Sequence, residues 1–486
     1  MITTIDAIKE LYQQWKGQPP DSVDVLPQSG SDRRYFRLHG KNETVIATHG
    51  INLKENETFI YFSQHFQDKN IPGANIFSVN EDKSIYLQED FGDVSLLNIL
   101  ESEGFTDRVF DLFANSLRAL AKLQVQGDEG LDYNRCLTNK EFGKQAIVAD
   151  LLYFKYYFLD ALRKPYDKQA LIDDFEALST YLTHTEYKYF MFRDFQSRNI
   201  MIKDDQSIHF IDYQGGMKGA PQYDVASMLW QARANLSEEW KSNLLEDYMD
   251  AFENEVGKRI DRNIFHTQFN GYVLIRLLQV LGAYGFRGLF ERKAHFLISI
   301  PMALKNLLGF LERQNLGISL PEFRRVLELC VSDEIIERFT PLKADEATPL
   351  VVCINSFSYK KGIPKDKSDN GGGFVFDCRG IHNPGRYDQY KAFHGKDKEV
   401  KDFLEQQTRM PEFLNSIFDI VDIAVEDYIK RGFTDLQVSF GCTGGQHRSV
   451  YAAEALARHL KNKFGVKIEM CHVEQESKNW INTPGA

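Results

Sequence analysis

The stretch Phe192-Arg-Asp-Phe-Gln-Ser-Arg-Asn199, followed by Ile-Met-Ile and then by Phe210-Ile-Asp212, constrains this chain more than any other. Asp194 is a carboxylate able to orient an attacking hydroxyl and take its proton. Asn199 and Asp212 are hard oxygen donors of the kind that hold Mg²⁺ against nucleotide phosphates. Asp194 to Asn199 spans a short loop, residues 199–203 and 207–211 read as a β-hairpin, and Asp212 falls at its far end, back beside Asn199. Singly these residues are ordinary turn formers. In conjunction they predict a phosphoryl-transfer site with Asp194 catalytic and Asn199 and Asp212 on the metal.

The run from Met191 to Ile202, with Ile211-Asp212-Tyr-Gln and Tyr223-Asp224-Val-Ala-Ser227, resembles the aminoglycoside-phosphotransferase-like kinases, especially the bacterial branch that phosphorylates cell-wall amino sugars. The resemblance implies a protein-kinase-like, two-lobed α+β domain that uses ATP and Mg²⁺ to phosphorylate a sugar hydroxyl. By resemblance alone, that hydroxyl is the anomeric one of an N-acetylated amino sugar. Asp224, just past Gly-Ala-Pro221, is expected to brace the catalytic loop through backbone hydrogen bonds.

A chain of 486 residues exceeds one ordinary core, so two or three domains are expected. With 43% hydrophobic and 26% charged residues it has the composition of a soluble globular protein. No apolar run reads as a membrane span, and Met1-Ile-Thr-Thr-Ile-Asp6 lacks the regions of a signal peptide, so a cytoplasmic location without membrane contact is expected. Six cysteines without a Cys-x-x-Cys pair fit a reducing compartment. A formal charge of −11 argues against a general nucleic-acid binder.

Residues 1–90 read as a small lobe. Ile5 to Trp15 is amphipathic, and Val23 to Leu38 contains two strands around Ser29-Gly30-Ser31, a turn whose N–H groups are placed to cover nucleotide phosphates. Ser31-Asp-Arg-Arg-Tyr-Phe-Arg37 resembles the pattern that opens these sugar kinases. One departure stands out. Most kinases carry a phosphate-gripping lysine on the next strand, yet Val45-Ile-Ala is followed by Thr48. Arg33, Arg34 and Arg37 are the candidates to replace its charge, with Ser29, Gly30, Ser31, Arg33, Arg34 and Glu89 assigned to ATP. Glu89 lies in Ile85 to Asp93, the strand and hinge that the resemblance places against adenine. Glu57 stands at the expected position of the lysine's glutamate partner. Residues 91–330 read as a helical lobe, with apolar periodicity over 108–123, 238–256 and 272–284. The aromatic run Leu151 to Phe158 reads as core rather than as an acceptor wall.

A charged stretch at 331–348 reads as a linker, and an α/β rhythm follows over 349–486. Within it, Phe440-Gly-Cys-Thr-Gly-Gly-Gln-His-Arg-Ser449 is a strand ending in a Gly-rich loop that opens onto a helix. Free N–H groups, the helix dipole and Arg448 converge there, which predicts a site for a phosphate-bearing ligand. Together with Phe357 to Asp366 and Phe376-Asp-Cys-Arg-Gly-Ile-His-Asn-Pro384, this loop resembles the C-terminal domain of the RapZ family, whose members sense amino-sugar phosphates or nucleotide sugars. The resemblance implies a phosphosugar- or nucleotide-sugar-binding domain. Its site residues are Asp377, Arg379, Cys442, Thr443, Gly444, Gly445, His447, Arg448 and Ser449, and any oligomer is expected to form through it. The family's P-loop domain and basic tail are missing, so RNA binding is not expected. Two rival readings stay open. One is a regulatory sensor with an inert kinase half, suggested by the missing lysine. The other is a bifunctional kinase and cysteine phosphatase, because Cys442 and Arg448 have the phosphatase spacing.

Overall fold

The computed structural model describes residues 4–27, 32–291, 294–313, 315–366, 368 and 371–477. The chain divides into two compact units, Met1–Ala283 with Met302–Val331, and Tyr284–Pro301 with Ser332–Ala486.

The first unit opens with α1 (Thr4–Lys16) and a five-stranded antiparallel sheet of β1 (Ser22–Val25), β2 (Arg34–His39), β3 (Thr44–His49), β4 (Ile76–Val79) and β5 (Ile85–Glu89), ordered β1-β2-β3-β5-β4. Side chains alternate across a strand, so Phe36, Leu38, Val45, Ala47, Ile85 and Leu87 share one face, which Ile8, Leu11 and Tyr12 of α1 cover. The opposite face carries Tyr35, Thr48 and Tyr86, which are cross-strand neighbours in the register. The expected β1/β2 hairpin is present, with Val25 opposite Phe36. Its tip, including Ser29, Gly30 and Ser31, lies outside the described residues. Asn52 caps α2 (Leu53–Asp68) by accepting from Glu55 N.

A helical lobe follows, formed by α3 (Leu96–Glu103), α4 (Asp107–Asp128), α5 (Lys144–Phe154), α6 (Lys168–Thr183), α7 (Gln222–Leu229), α8 (Glu238–Val256) and α9 (Arg262–Tyr284). Its starts and stops are written locally. Ser95 and Asn98 form a capping box at α3, Thr106 caps α4, and Gly257 ends α8 with φ 73°. Between α6 and α7 lie β6 (Tyr189–Met191), β7 (Ile200–Ile202), β8 (Ile208–Phe210) and β9 (Met217–Gly219), paired β6 with β9 and β7 with β8. Leu151, Phe154 and Phe158 are fully buried, as their reading as core requires. One expectation needs correction. Arg262–Phe290 is long and apolar enough to cross a membrane, although 56% of its most apolar window is buried inside the protein. Its apolar residues serve as core, since Val273, Leu274, Ile275, Leu278 and Leu281 are all fully buried. Two further helices, α10 (Ala294–Arg313) and α11 (Pro321–Cys330), lead to the charged stretch. That stretch includes α12 (Asp333–Phe339), because Asp333 and Glu334 favour the first turn and Ile335 is fully buried.

In the second unit a parallel sheet, ordered β11-β12-β10-β13, contains β10 (Val351–Ser358), β11 (Phe374–Asp377), β12 (Asp435–Cys442) and β13 (Lys467–His472). Its helices are α13 (Lys398–Gln406), α14 (Met410–Arg431), α15 (Arg448–Lys463) and α16 (Val473–Ser477). The core joins Val352, Ile354, Val438 and Phe440 of the sheet to Leu414, Val421, Ala453 and Leu456 of α14 and α15. Because the strands run parallel, Ser358, Asp377 and Cys442 all end at one edge. Ligands of parallel α/β sheets bind beyond that edge.

Candidate functional site

In the first unit the β7/β8 hairpin brings the three sequence-assigned residues together. Ile200 pairs with Phe210, and Ile211 N donates to Asn199 O at 3.1 Å, so Asp212 emerges beside Asn199. Asn199 Nδ2 donates to the carbonyl of Asp194 at 2.9 Å, which ties Asn199 to the catalytic loop. Two non-glycine residues there, Arg193 (φ 77°) and Asp212 (φ 70°), hold left-handed backbone conformations, a strain that the surrounding contacts must maintain.

Asp224 is fully buried and accepts from Phe192 N at 2.8 Å, Arg193 N at 2.9 Å and Gln124 Nε2 at 3.1 Å. It braces the loop from behind. Burial pushes its carboxyl up to about 6, against the lowering effect of those donors. Asp194 is the opposite case. Burial would raise it, but Arg276 and Arg198 beside it, with a hydrogen bond from Asn199, hold its carboxyl below the usual range. Arg276 reaches Asp194 Oδ1 from α9 at 3.1 Å, and Arg198 reaches Oδ2 at 3.1 Å. Nothing local in sequence announced Arg276, which lies 82 residues from Asp194. The available signal was an arginine inside the apolar run Tyr272–Leu281, where a buried charge requires a partner.

The missing lysine's surroundings are also explicit. Thr48 is fully buried opposite Tyr35, and Arg33, two residues before Tyr35, is buried as well. Arg33 Nη2 lies 2.9 Å from Asp212 Oδ1 and 3.3 Å from Glu55 Oε1 on α2. Gln214 Nε2 donates to the same two carboxylates, at 2.8 Å to Asp212 and 3.3 Å to Glu55. Glu57 is therefore not the partner. Two residues further along the helix it points away and pairs with exposed Lys83 at 2.7 Å, since positions two apart lie about 200° apart around an α-helix. Arg34 has the opposite strand parity and is exposed, while Arg37 is taken by Asp90 at 2.7 Å and Asp93 at 2.8 Å. Glu89 ends β5, accepting from Asn75 at 2.7 Å, with Lys203 at 3.7 Å. No cluster of three or more His, Cys, Asp or Glu suited to a metal exists among the described residues. A nucleotide-bound Mg²⁺ does not need one, because it takes one or two protein oxygens, water and phosphate. The Asp212 carboxylate and Asn199 amide oxygen fit that pattern.

In the second unit the loop after β12 borders a cavity of about 770 Å³ lined by Arg379, Arg386, Arg409, Arg448, Thr443, His382, Asn383, Tyr387 and Phe403, among others. Arg448 is buried, and its Nη1 donates to Ile381 O at 2.7 Å and Arg379 O at 3.1 Å. Its Nε is buried without a hydrogen-bond partner. Gly445 has φ 66°, and a Cβ there would meet Glu474 Cγ at 2.3 Å, so only glycine fits. Of the nine sequence-assigned residues, Arg379, Thr443 and Arg448 line the cavity. Asp377 is locked onto Arg379 at 2.6 Å. His447 is buried and donates from Nε2 to Tyr390 O at 3.1 Å. Cys442 is 2% exposed and absent from the cavity wall, its sulfur accepting from Gly445 N at 3.2 Å and lying 3.2 Å from Ser449 Oγ. Gly444 completes the loop without lining the cavity. Arg386 and Arg409 were missed, because loop residues distant in sequence carry no signal of convergence.

Residues 23–259 match the model of the phosphotransferase enzyme family, and residues 350–476 match the RapZ C-terminal domain. The chain thus carries a phosphotransferase enzyme family domain over residues 23–259 and a RapZ C-terminal domain over residues 350–476. A nucleotide-binding protein of Fervidobacterium nodosum is 40% identical over 136 residues, covering 28% of this chain and 46% of the relative. One from Fusobacterium nucleatum is 33% identical over 212 residues, covering 41% of this chain and 69% of the relative. The chain spans about half the length of the first of these. Among solved structures, choline kinase from Cryptosporidium parvum aligns over 63% of this chain and 93% of its own, at 13% identity and a TM-score of 0.45.

Proposed function

We propose that the chain is an ATP- and Mg²⁺-dependent sugar phosphotransferase acting on the anomeric hydroxyl of an N-acetylated amino sugar, with a second unit that binds a phosphosugar or nucleotide sugar. The observation that carries this reading is the Asp194, Asn199 and Asp212 constellation, held on a loop whose two amides Asp224 fixes. Asp194 is kept ionised by Arg276 and Arg198 and so is ready to accept a proton. The acceptor oxygen attacks the γ-phosphorus, the bond to the bridging oxygen breaks, ADP leaves, and the hydroxyl proton passes to Asp194. Mg²⁺, when held by Asp212 and Asn199, supplies positive charge against the phosphates. The two guanidinium groups bonded to Asp194 favour a neutral acceptor over a cationic one such as choline.

In the second unit, the unpartnered Nε of Arg448 at the cavity supports an anionic ligand. The buried sulfur of Cys442 and the ion-paired Asp377 favour binding over phosphatase chemistry. The test is a screen for ADP release across neutral sugars, aminoglycosides and choline. Release with an N-acetylated sugar, accompanied by the phosphorus resonance of a glycosyl phosphate, supports the reading. Turnover with choline alone contradicts it.

A further inference from the structure

We infer that Gln279 on α9 recognises the acceptor sugar, its side-chain amide donating to the carbonyl oxygen of the N-acetyl group beside the reacting hydroxyl. This rests on the kinase reading above and adds the residue that distinguishes an N-acetylated sugar from its parent.

The orientation of that amide is fixed by its neighbour. Arg276 Nη2 donates to Asp194 Oδ1 at 3.1 Å, and Arg276 Nη1 donates to Gln279 Oε1. A guanidinium can only donate, so the carboxamide must turn its oxygen towards Arg276 and its NH₂ away. The two residues stand three apart on α9 and so are neighbours on one face. Arg276 is buried, whereas Gln279 is partly exposed and makes no other side-chain hydrogen bond among the described residues. Two neutral donors are thus presented two hydrogen bonds away from the proposed base, close enough for one sugar ring to touch both. The base itself is reachable, with 32% of its side chain exposed.

The surroundings select the chemistry of the acceptor. Among the described residues, the side chains that hydrogen-bond the Asp194 carboxylate are Arg276, Arg198 and Asn199, and all of them donate. A ligand seated there must bring oxygens that accept, as hydroxyl and carbonyl groups do. One turn beyond Gln279, a Cβ on Gly282 would lie 2.7 Å from Tyr153 Cδ1, so the partly exposed ring of Tyr153 on α5 borders the same helix. An aromatic ring beside an amide donor suits a pyranose, the ring covering C–H groups and the amide bonding a substituent. In a 2-acetamido sugar that reacts at its anomeric oxygen, the acetamido group is on the adjacent carbon. Its carbonyl is what a donor near the base meets.

The test measures calorimetric binding of N-acetylglucosamine, glucose and MgATP to full-length wild type, Gln279→Glu and Gln279→Met, with steady-state kinetics on both sugars. Glutamate keeps the oxygen that Arg276 needs and removes the NH₂, whereas methionine removes both. Gln279→Glu is expected to weaken N-acetylglucosamine at least about fivefold, as loss of a donor to a bound carbonyl demands. Gln279→Met is expected to weaken it at least as much. Affinity for glucose and for MgATP should stay within about twofold, the latter showing that the variants are folded. Wild-type affinity for N-acetylglucosamine in Gln279→Glu would overturn the inference by showing that Gln279 only holds Arg276. An equal loss for both sugars, or a wild type with no preference for N-acetylglucosamine over glucose, would overturn it as well. The kinetics report separately on the kinase reading: if wild type binds N-acetylglucosamine without phosphorylating it and Gln279→Glu loses that binding, recognition by Gln279 stands and the kinase reading falls.

Discussion

Replacing Arg276 by Met keeps the approximate length of the side chain and removes the charge beside the proposed base. Arg276 is buried on α9 and donates to Asp194 Oδ1 at 3.1 Å. Asp194 would retain Arg198, which is largely exposed, and the Asn199 amide. The loss is that of one buried charge-assisted hydrogen bond, roughly 1.5 to 3 kcal/mol, because water cannot fully replace the guanidinium there. Expressed as a rate, that is about 10- to 150-fold in kcat if the pair is needed in the transition state. The pH profile gives an independent readout. Arg276 is the largest of the influences that lower the Asp194 carboxyl, so its removal moves the acid limb of kcat to higher pH. Steady-state kinetics from pH 5 to 9 on Arg276→Met and Arg276→Lys would show both effects, with Lys restoring part of each. A kcat within about twofold of wild type, together with an unmoved acid limb, would refute the assignment of Arg276 to positioning Asp194.

Asp224 has a folded-state value of about 6, above the roughly 3.9 of an unfolded aspartate, so the native state holds the extra proton between these values. Stability from this group is therefore greatest below about pH 4 and declines as pH rises to about 6, by on the order of 3 kcal/mol. The stability advantage of wild type over Asp224→Asn should shrink across that window in urea titrations, and a pH-independent difference would count against the burial argument. At the second unit, Arg448→Ala should weaken a phosphosugar or nucleotide sugar by about 10- to 150-fold, from the loss of one charge-assisted contact. Cys442→Ser should change it little. Phosphate release from sugar phosphates that disappears in Cys442→Ser would establish the phosphatase reading instead.

The geometry of the loop from Asp194 to Asp212 was legible because it is local: a hairpin between Asn199 and Asp212 fixes both residues by strand register alone. Helix ends were legible for the same reason, as at the Glu238–Val256 helix with its Ser237 cap and Gly257 stop. Contacts across long sequence separations were not. Choosing Glu55 over Glu57 requires knowing which side of α2 meets Asp212, and the run Lys54 to Phe66 carries polar residues on more than one side. Arg276 depends on where α9 crosses the loop, which no spacing encodes. The burial of Arg33 and the exposure of Arg34 follow from strand parity, but only once the neighbouring strands show which face is apolar. In the second unit the Gly-rich loop between strand and helix was readable, whereas Arg386 and Arg409 enter the cavity wall from segments distant in sequence.

The central claim, phosphoryl transfer through Asp194, is tested most directly by following labelled γ-phosphate from ATP to an N-acetylated amino sugar in wild type, Asp194→Asn and Asp212→Ala, with MgATP affinity measured on each. Transfer by wild type is expected. Asp194→Asn should bind MgATP within about twofold of wild type and lose several orders of magnitude in turnover, whereas Asp212→Ala should weaken MgATP binding itself. Turnover of Asp194→Asn equal to that of wild type would contradict the account.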